Sequence, residues 1–306
     1  MQVDFVFPYV NPNDVEWQRQ HIRMCHRIGR KVDLSGARYR DWGLLKYVFR
    51  SIEQYAPFIR NVYMIVESMQ QVPSWINKDK VNIVLHSDII PKQYLPTYNS
   101  CTIEMFLHNI PGLSEYFIYS NDDLYFMNMC TVNNFYDANM VPIVKLKQIQ
   151  YDEHSKLFRV QCANCEDLFL PAEQKCINRG YVYRTYHTMT PMRRSTCQLV
   201  YEKYHDIIHH SISTFRNKKN FNQYIYPMYE RYVNNATSQN FITSEYVAIG
   251  RERITDITYK ILSTRCQVMC INDTKSVKST EITNDMIRLR VAFNRRLAKH
   301  SIYEKF

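Results

Sequence analysis

One stretch, residues 116–126, reads YFIYSNDDLYF and constrains the fold more than any other. Four apolar residues, Tyr116, Phe117, Ile118 and Tyr119, run into Ser120 and Asn121. Two adjacent carboxylates follow, Asp122 and Asp123, and Tyr125 and Phe126 close behind them. A short run rich in aromatic and β-branched residues predicts a buried strand. The acid pair then sits where a central strand runs out into a loop, and in open α/β sheets ligands bind beyond the carboxyl ends of the strands. Neighbouring carboxylates repel each other unless a cation neutralises them. Mg²⁺-type ions take one or two carboxylates and leave their other positions to water and substrate phosphate oxygens. Two readings are open here: a metal–diphosphate site, or a solvated Asn-Asp-Asp turn formed for local hydrogen-bonding reasons.

Strand and helix patterns alternate along the first half, which predicts an α/β fold with a mainly parallel sheet flanked by helices. Residues 3–10, VDFVFPYV, predict the first strand, and the Asn11-Pro12-Asn13-Asp14 turn supplies a helix cap in Asn13 or Asp14. Such an opening is the usual entry to a nucleotide-binding sheet, and equally an ordinary βα unit. Leu44, Leu45, Val48, Phe49 and Ile52 fall at helical spacing, with Asp41 in the capping region. Arg38 and Arg40 just before them are surface charges or phosphate clamps, since the guanidinium fork matches phosphate. Residues 62–66 and 81–85 predict two more strands. Beyond a loop with two prolines, Asn99 and Ser100 begin a helix carrying Ile103, Phe106, Leu107 and Ile110. Glu104 and His108, four apart, would share a face of it, as a solvated pair or as a carboxylate delivered to the site.

The second half is less regular. Residues 141–147 predict a strand, and residues 152–172 a hairpin or an insertion. Cys162 and Cys165 have metal-ligand spacing, with Cys176 and His187 downstream, but a second CxxC is missing. His187 lies in a segment unsuited to a helix interior, and its side chain can move protons near neutrality. Residues 195–204 predict a helix. Arg193 and Arg194 at its start oppose the helix dipole, so they need another reason, and an anionic ligand is one; Arg216 follows. Residues 268–271 predict a strand that ends in Asn272 and Asp273, repeating the strand–Asn-Asp pattern with a third carboxylate. Residues 281–299 predict an amphipathic basic helix on Ile287, Val291, Phe293 and Leu297, packed on the core or attached to a membrane surface. The expected organisation is one domain, with a nucleotide-sugar and metal core over 1–150, an insertion over 151–180, and a mixed α+β part over 181–306 that completes the active site.

Composition narrows the function classes. Of 306 residues 45% are hydrophobic, enough for a sizeable core. Only 6 glycines are present and no GxGxxG or GxxxxGK[ST] occurs, so glycine-rich phosphate loops are excluded as the main device. The net charge of +10 suits an anionic substrate or membrane surface, and no nucleic-acid module signature is found. No apolar stretch approaches 18 residues. Nine cysteines, an odd number, fit a reducing cytoplasm better than a disulfide framework, and no signal-peptide pattern opens the chain. The expectation is a cytoplasmic protein, peripheral at most on the inner face of the membrane.

Several blocks resemble the Stealth proteins, a family that includes bacterial capsular polysaccharide phosphotransferases and the catalytic part of the lysosomal-enzyme N-acetylglucosamine-1-phosphotransferase. The first is Asp4-Phe5-Val6-Phe7-Pro8-Tyr9-Val10-Asn11. The second runs from Arg38-Tyr39-Arg40-Asp41 to Asn121-Asp122-Asp123. It holds Ser51-Ile52-Glu53-Gln54-Tyr55-Ala56-Pro57, His86-Ser87-Asp88-Ile89-Ile90-Pro91, Tyr94-Leu95-Pro96-Thr97-Tyr98-Asn99-Ser100 and Ile110-Pro111-Gly112-Leu113-Ser114-Glu115. His187 with Pro191-Met192-Arg193 and Phe215-Arg216 is similar to the third. Cys270-Ile271-Asn272-Asp273 and the closing Ser301-Ile302-Tyr303-Glu304 are similar to the fourth. The first block departs from the usual pattern at Pro8-Tyr9-Val10-Asn11-Pro12, and His300 replaces a usual proline.

The resemblance implies a nucleotide-sugar-transferase-like (Rossmann-like) core and a reaction. A UDP-sugar, such as a UDP-N-acetylhexosamine, gives up sugar-1-phosphate to an acceptor sugar hydroxyl; UMP leaves and a phosphodiester forms. It implies Mg²⁺ or Mn²⁺ on Asp122, Asp123 and Asp273, and Arg38, Arg193 and Arg216 against charge developing on the phosphoryl oxygens. His187 becomes the first choice of base and Glu104 the second, and Asn11, Asp41, Asn99, Ser100 and Asn272 contact the substrate. The acceptor is an oligosaccharide or polysaccharide. Two other classes stay open: a metal-dependent glycosyltransferase releasing UDP, and a basic module binding polyanions without metal.

Overall fold

The computed structural model describes residues 2–33, 39–277 and 280–305; Arg38 lies outside them. The architecture is mixed α/β, with a mainly parallel sheet flanked by helices, as expected. In chain order the strands are β1 (Val3–Pro8), β2 (Ile59–Val66), β3 (Val81–Leu85), β4 (Tyr116–Tyr119) and β5 (Leu124–Phe126). They continue with β6 (Leu146–Gln150), β7 (Tyr181–Thr185), β8 (Thr190–Arg193), β9 (Ser244–Ala248) and β10 (Val268–Asn272). The chain packs as two compact units that interleave along the sequence. Unit one is Met1–Val6, Val84–Tyr119 and Thr131–Ile242; unit two is Phe7–Ile83, Ser120–Cys130 and Thr243–Phe306.

In unit one, β4 pairs parallel with β1, from Val3↔Tyr116 to Val6↔Tyr119, and antiparallel with β8, from Tyr116↔Arg193 to Tyr119↔Thr190. Phe5, Phe117, Ile118 and Tyr119 are fully buried, which is why this run has no polar alternation. Buried Asp4 accepts from the Ser114 N–H (2.8 Å). Outside this sheet, β6 and β7 form an antiparallel pair, from Leu146↔Thr185 to Gln150↔Tyr181. The strand expected over 141–147 therefore starts at Leu146. The segment expected as a hairpin or an insertion is not a hairpin: it holds a helix, Leu157–Asp167, between the two paired strands, its buried face including Gln161, Cys162, Cys165 and Glu166.

The helix expected after Asn99 is real but short. Ser100–Glu104 is α-helical and Leu107–Asn109 is a 3-10 turn, so Glu104 and His108 do not share one helix face. Glu104 is buried, and its carboxylate accepts from the Gln223 N–H (2.6 Å) and the Tyr119 hydroxyl (3.2 Å).

In unit two, β2 lies between β3 and the end of β1, where the Tyr9 N–H donates to the Ile65 carbonyl (2.8 Å). A second sheet has the order β5-β10-β9, with β9–β10 parallel and β5–β10 antiparallel. The helix Leu45–Tyr55 buries Tyr47, Val48, Phe49 and Ile52, and its Ser51 hydroxyl accepts from the Phe126 N–H (3.1 Å). Asp14 caps the helix Val15–Arg27 by accepting from Glu16 and Trp17 (3.0 and 3.1 Å). The basic helix Ile282–Arg296 buries Leu289, Ala292 and Phe293, with Phe293 stacked on Tyr47 (centroids 4.9 Å). Ile287 and Val291 are 54% and 46% exposed, so the apolar face is rotated from the expected one. Packing against Tyr47 and Tyr125, which lies 4.7 Å from Phe293, sets that face.

Candidate active site

The antiparallel pairing of β5 with β10 brings the two Asn-Asp turns of the sequence together. Its register runs Phe126↔Val268, Tyr125↔Met269, Leu124↔Cys270, and one step further the Ile271 N–H donates to the Asp123 carbonyl (2.9 Å). Residues 121–123 therefore end up beside residues 271–273. Asp122, Asp123 and residues 271–273 line an open cavity of ≈180 Å³ in unit two, with Tyr9, Val10 and Pro12 just after β1 and residues 39–42, 44 and 45 leading into the next helix. Of the expected site residues, Asp41, Asp122, Asp123, Asn272 and Asp273 line this one cavity. Asn11 does not: its side chain accepts from the Asn13 N–H (3.0 Å), and its own N–H donates to Gln71 (2.6 Å).

The cavity is dominated by negative charge. Burial and then the neighbouring Asp123 push the Asp122 carboxyl up to about 7, with Asp41 adding to the effect. Asp122 is itself exposed at the cavity mouth. Solvent moderates the burial contribution there, so the repulsion from Asp123 is the cause that persists. Burial and the same acids raise the Tyr9 and Tyr125 hydroxyls. Burial and Asp123 hold the Cys270 thiol well above its ordinary value, and its Sγ donates to Asp123 (3.5 Å). Asp273 is different. Arg40 donates to both of its oxygens (2.9 and 3.0 Å) and the Trp42 indole to one of them (2.9 Å). Burial still raises it, against those bonds and the Arg40 charge.

The metal expectation can be tested on this donor set. Hard carboxylate oxygens converge, the thiol beside them stays protonated, and the Arg40 charge is already committed to Asp273. Asp122 and Asp123 thus fit Mg²⁺ or Mn²⁺, which favour oxygen donors. Asp273, expected as the third ligand, lines the same cavity and is ion-paired with Arg40. Sequence reasoning missed Trp42 and left Arg40 undecided, because their partner lies 231 to 233 positions away.

The remaining expected residues belong to unit one. Asn99 is only 1% exposed. Its Oδ1 accepts from the Cys101 N–H (3.1 Å), and its Nδ2 faces Ser213, Asn220 and Thr102 oxygens at 3.0 to 3.4 Å. Asn99 thus caps the helix Ser100–Glu104 and ties it to Ser213 and Asn220. Arg216 donates to the Ser100 hydroxyl. Burial raises the Glu104 carboxyl, while the Arg216 charge and the bonds from Gln223, Tyr119 and Ser100 work against it. Arg193 forks onto Glu230 (2.9 and 2.7 Å), so its anionic partner is internal; Thr196 donates to the same carboxylate (2.6 Å). His187 lies in the tight link between β7 and β8. Among the described residues, Cys162, Cys165, Cys176 and His187 do not form a metal cluster. Cys165 bonds Asn222 and Cys176 bonds Glu166, and burial raises all three thiols.

Comparison with known proteins places the chain. Residues 38–144 match the family described as Stealth protein CR2, conserved region 2. The chain is 29% identical to the capsular polysaccharide phosphotransferase WcwK of Streptococcus pneumoniae, over 99% of its own length and 98% of that protein. It is 29% identical to the receptor polysaccharide phosphotransferase WefC of Streptococcus oralis, over 94% and 95%. With the capsular polysaccharide phosphotransferase LcbA of Neisseria meningitidis it shares 32% identity over 68% of this chain and 58% of that protein. Among solved structures, mouse xyloside xylosyltransferase 1 in its apo form gives a TM-score of 0.34 at 8% identity, covering 88% of this chain and 97% of that one. Residues 38–144 thus carry a conserved region of the Stealth proteins, and the chain is similar over nearly its whole length to named polysaccharide phosphotransferases.

Proposed function

We propose that this chain is a phosphotransferase that moves a sugar-1-phosphate, N-acetylhexosamine-1-phosphate in our reading, from a UDP-sugar to an acceptor sugar hydroxyl. UMP is released and a phosphodiester forms in a capsular or cell-surface polysaccharide. The observation that carries the reading is the convergence of Asp122, Asp123 and Asp273 in one cavity. It is supported by the polysaccharide phosphotransferase names of the full-length relatives. The cavity is below the roughly 300–1,000 Å³ typical of sites that enclose a whole small molecule. It suits the charged centre of the donor, a diphosphate with its cation.

In this reading Asp122 and Asp123 would hold Mg²⁺ or Mn²⁺, which when bound neutralises the diphosphate and the departing phosphate. The chain's own groups do the rest. Arg40 and Trp42 fix Asp273, keeping its charge from adding to the acid pair. Asn272, whose amide donates to the Asp273 carbonyl (2.8 Å), stiffens the turn beside it. Asp41 accepts from the Gly43 N–H (2.6 Å), which shapes the loop ahead of the helix Leu45–Tyr55. His187 is the proposed base and Glu104 the second candidate, with Arg38 and Arg216 proposed to take phosphoryl charge and Ser100 to contact the donor. Arg193, held by Glu230, is proposed as a positioning residue. The proposed partners are a UDP-sugar and an oligosaccharide or polysaccharide acceptor, in the cytoplasm or on the inner face of the membrane. Among the described residues no helix is long and apolar enough to cross a membrane.

A metal-dependent glycosyltransferase would use the same acid cavity, but with attack at the sugar carbon and release of UDP. Product analysis separates the two. The protein is incubated with a panel of UDP-sugars, Mg²⁺ or Mn²⁺ and short oligosaccharide acceptors, and the products are weighed by mass spectrometry. UMP with an acceptor gaining a sugar-phosphate is the expected result. UDP with an acceptor gaining a bare sugar would overturn phosphotransfer and leave the cation–diphosphate assignment standing.

A further inference from the structure

A second, chemically different cluster lies on unit one, away from any role given above. His205 and His209 are four apart on the helix His205–Ser211, so their side chains are neighbours on its surface. Their rings lie with centroids 5.7 Å apart and planes 25° apart. The two Nδ1 atoms are both occupied by oxygen partners. His205 Nδ1 is 3.2 Å from Asp206 Oδ1, and His209 Nδ1 is hydrogen-bonded to the Tyr94 hydroxyl. Among the described residues no hydrogen bond involves either Nε2.

This is the arrangement that prepares an imidazole for a metal. A ligating histidine typically gives its other ring N–H to a carboxylate or another oxygen, which fixes the tautomer and the ring orientation. Ionised Asp206 can only accept, so neutral His205 carries its proton on Nδ1 and its lone pair on Nε2. The Tyr94 oxygen can accept from His209 Nδ1–H in the same way. Two imidazoles four apart on a helix are also the spacing by which HExxH helices hold zinc. The surroundings are aromatic and leave the pair open on one side. The Tyr201 ring meets His205 edge-on at 5.5 Å, and the Tyr94 ring meets His209 at 5.4 Å. Neighbouring His210 turns its Nδ1 to the Asp206 carbonyl of its own helix (2.6 Å). The His205 side chain is 52% exposed, so an ion reaches it from solvent.

We propose that His205 and His209 form a two-nitrogen site for a divalent transition-metal ion of the Zn²⁺, Ni²⁺ or Cu²⁺ class, with Asp206 and Tyr94 orienting the ligands. Imidazole donors select this class, whereas the carboxylate cavity of unit two selects Mg²⁺ or Mn²⁺. The two sites are therefore distinguishable by the ion each takes. The proposal does not depend on the reaction assigned above.

The test is Zn²⁺ titration calorimetry on the chelator-treated full chain in excess Mg²⁺, comparing the wild type with single variants checked by circular dichroism. His205→Ala and His209→Ala are each expected to lose one Zn²⁺ equivalent. His210→Ala keeps it. Tyr94→Phe keeps it with affinity weakened about tenfold to a hundredfold, the usual cost of losing an orienting partner. Zn²⁺ bound elsewhere appears equally in every variant and cancels. An unchanged stoichiometry in His205→Ala and His209→Ala, or an equal loss in His210→Ala, would overturn the assignment. Should His209→Ala fail to fold, His205→Ala decides with a second readout, the histidine ¹⁵N resonances of the wild type. The Nε2 signals of His205 and His209 shift on Zn²⁺ addition if the site exists and stay fixed if it does not.

Discussion

Asp122 is exposed in the acid cavity, and its carboxyl is pushed up to about 7 by burial and by Asp123. Asp122→Asn is expected to lower turnover about 10²- to 10³-fold, the scale seen when one electrostatic contact to a transition state is lost. Its thermal stability should hold or rise, because one of two repelling charges is gone. Near-normal turnover in a folded variant would remove the metal role. The identity of the acid pair was legible from its place behind a strand. The state of Asp273 was not, since Arg40 and Trp42 reach it from the far end of the sequence. Asn99 was legible as a helix cap, but its distant partners Ser213 and Asn220 were not. Gly250 makes the point for backbone. It has φ +84°, and an added Cβ would lie 2.7 Å from the Val277 nitrogen. Gly250→Ala is expected to cost about 1–3 kcal/mol, measured by urea unfolding, from the strained backbone alone. A neutral result would mean the loop can adopt another path.

At the scale of elements, the closing segment is a latch on the helix Leu45–Tyr55. Arg50 donates to both oxygens of Glu304 (2.8 Å each) and to the Leu297 carbonyl (3.1 Å), and the pair is almost wholly buried. The Tyr303 carbonyl accepts from the Asn77 N–H (2.8 Å), and the Lys305 N–H donates to the Trp75 carbonyl (2.7 Å). Glu304→Ala leaves Arg50 buried without its counter-charge and is expected to cost about 3–5 kcal/mol in urea unfolding. A loss no larger than the ~1 kcal/mol of an exposed pair would show the latch is open in solution. The pH dependence follows from the carboxyl itself. Burial pushes Glu304 up, but the Arg50 bonds, the Ser301 N–H and the Arg50 charge outweigh it, and the net shift is downward. A lowered folded value means the unfolded chain takes up the proton first as pH falls. The latch therefore contributes fully above the ordinary carboxylate range of about 4.3 and is lost as pH falls through the lower folded value. Glu304→Gln should flatten that acid limb of the stability curve. An unchanged limb would assign it to other carboxylates.

At the scale of the whole molecule, a basic chain of net charge +10 gathers acids in one cavity, and that contrast sets the cofactor prediction. Chelation is expected to abolish sugar-phosphate transfer, with Mg²⁺ or Mn²⁺ restoring it and Zn²⁺ not. Full turnover in excess chelator, followed by UMP release, would contradict the role of Asp122 and Asp123. The net positive charge elsewhere suits an anionic substrate. The two units, interleaved along the sequence, are divisions of packing. The functional division near residues 150 and 180 is a separate proposal.

Local chemistry was readable from the chain alone. The strand runs, the Asp14 cap and both strand–Asn-Asp turns depend on neighbours within a few positions, and periodicity and side-chain type report them. The family blocks were readable for the same reason. Tertiary structure alone decided which turns meet. The antiparallel register of β5 on β10 joins residues 122–123 to residues 272–273, and a pairing over almost 150 positions leaves no local trace. It also decided which charges are spent inside the protein, on Glu230 for Arg193 and on Asp273 for Arg40. An isolated sequence shows that a charge exists, but only packing shows whether its partner is another side chain or a ligand.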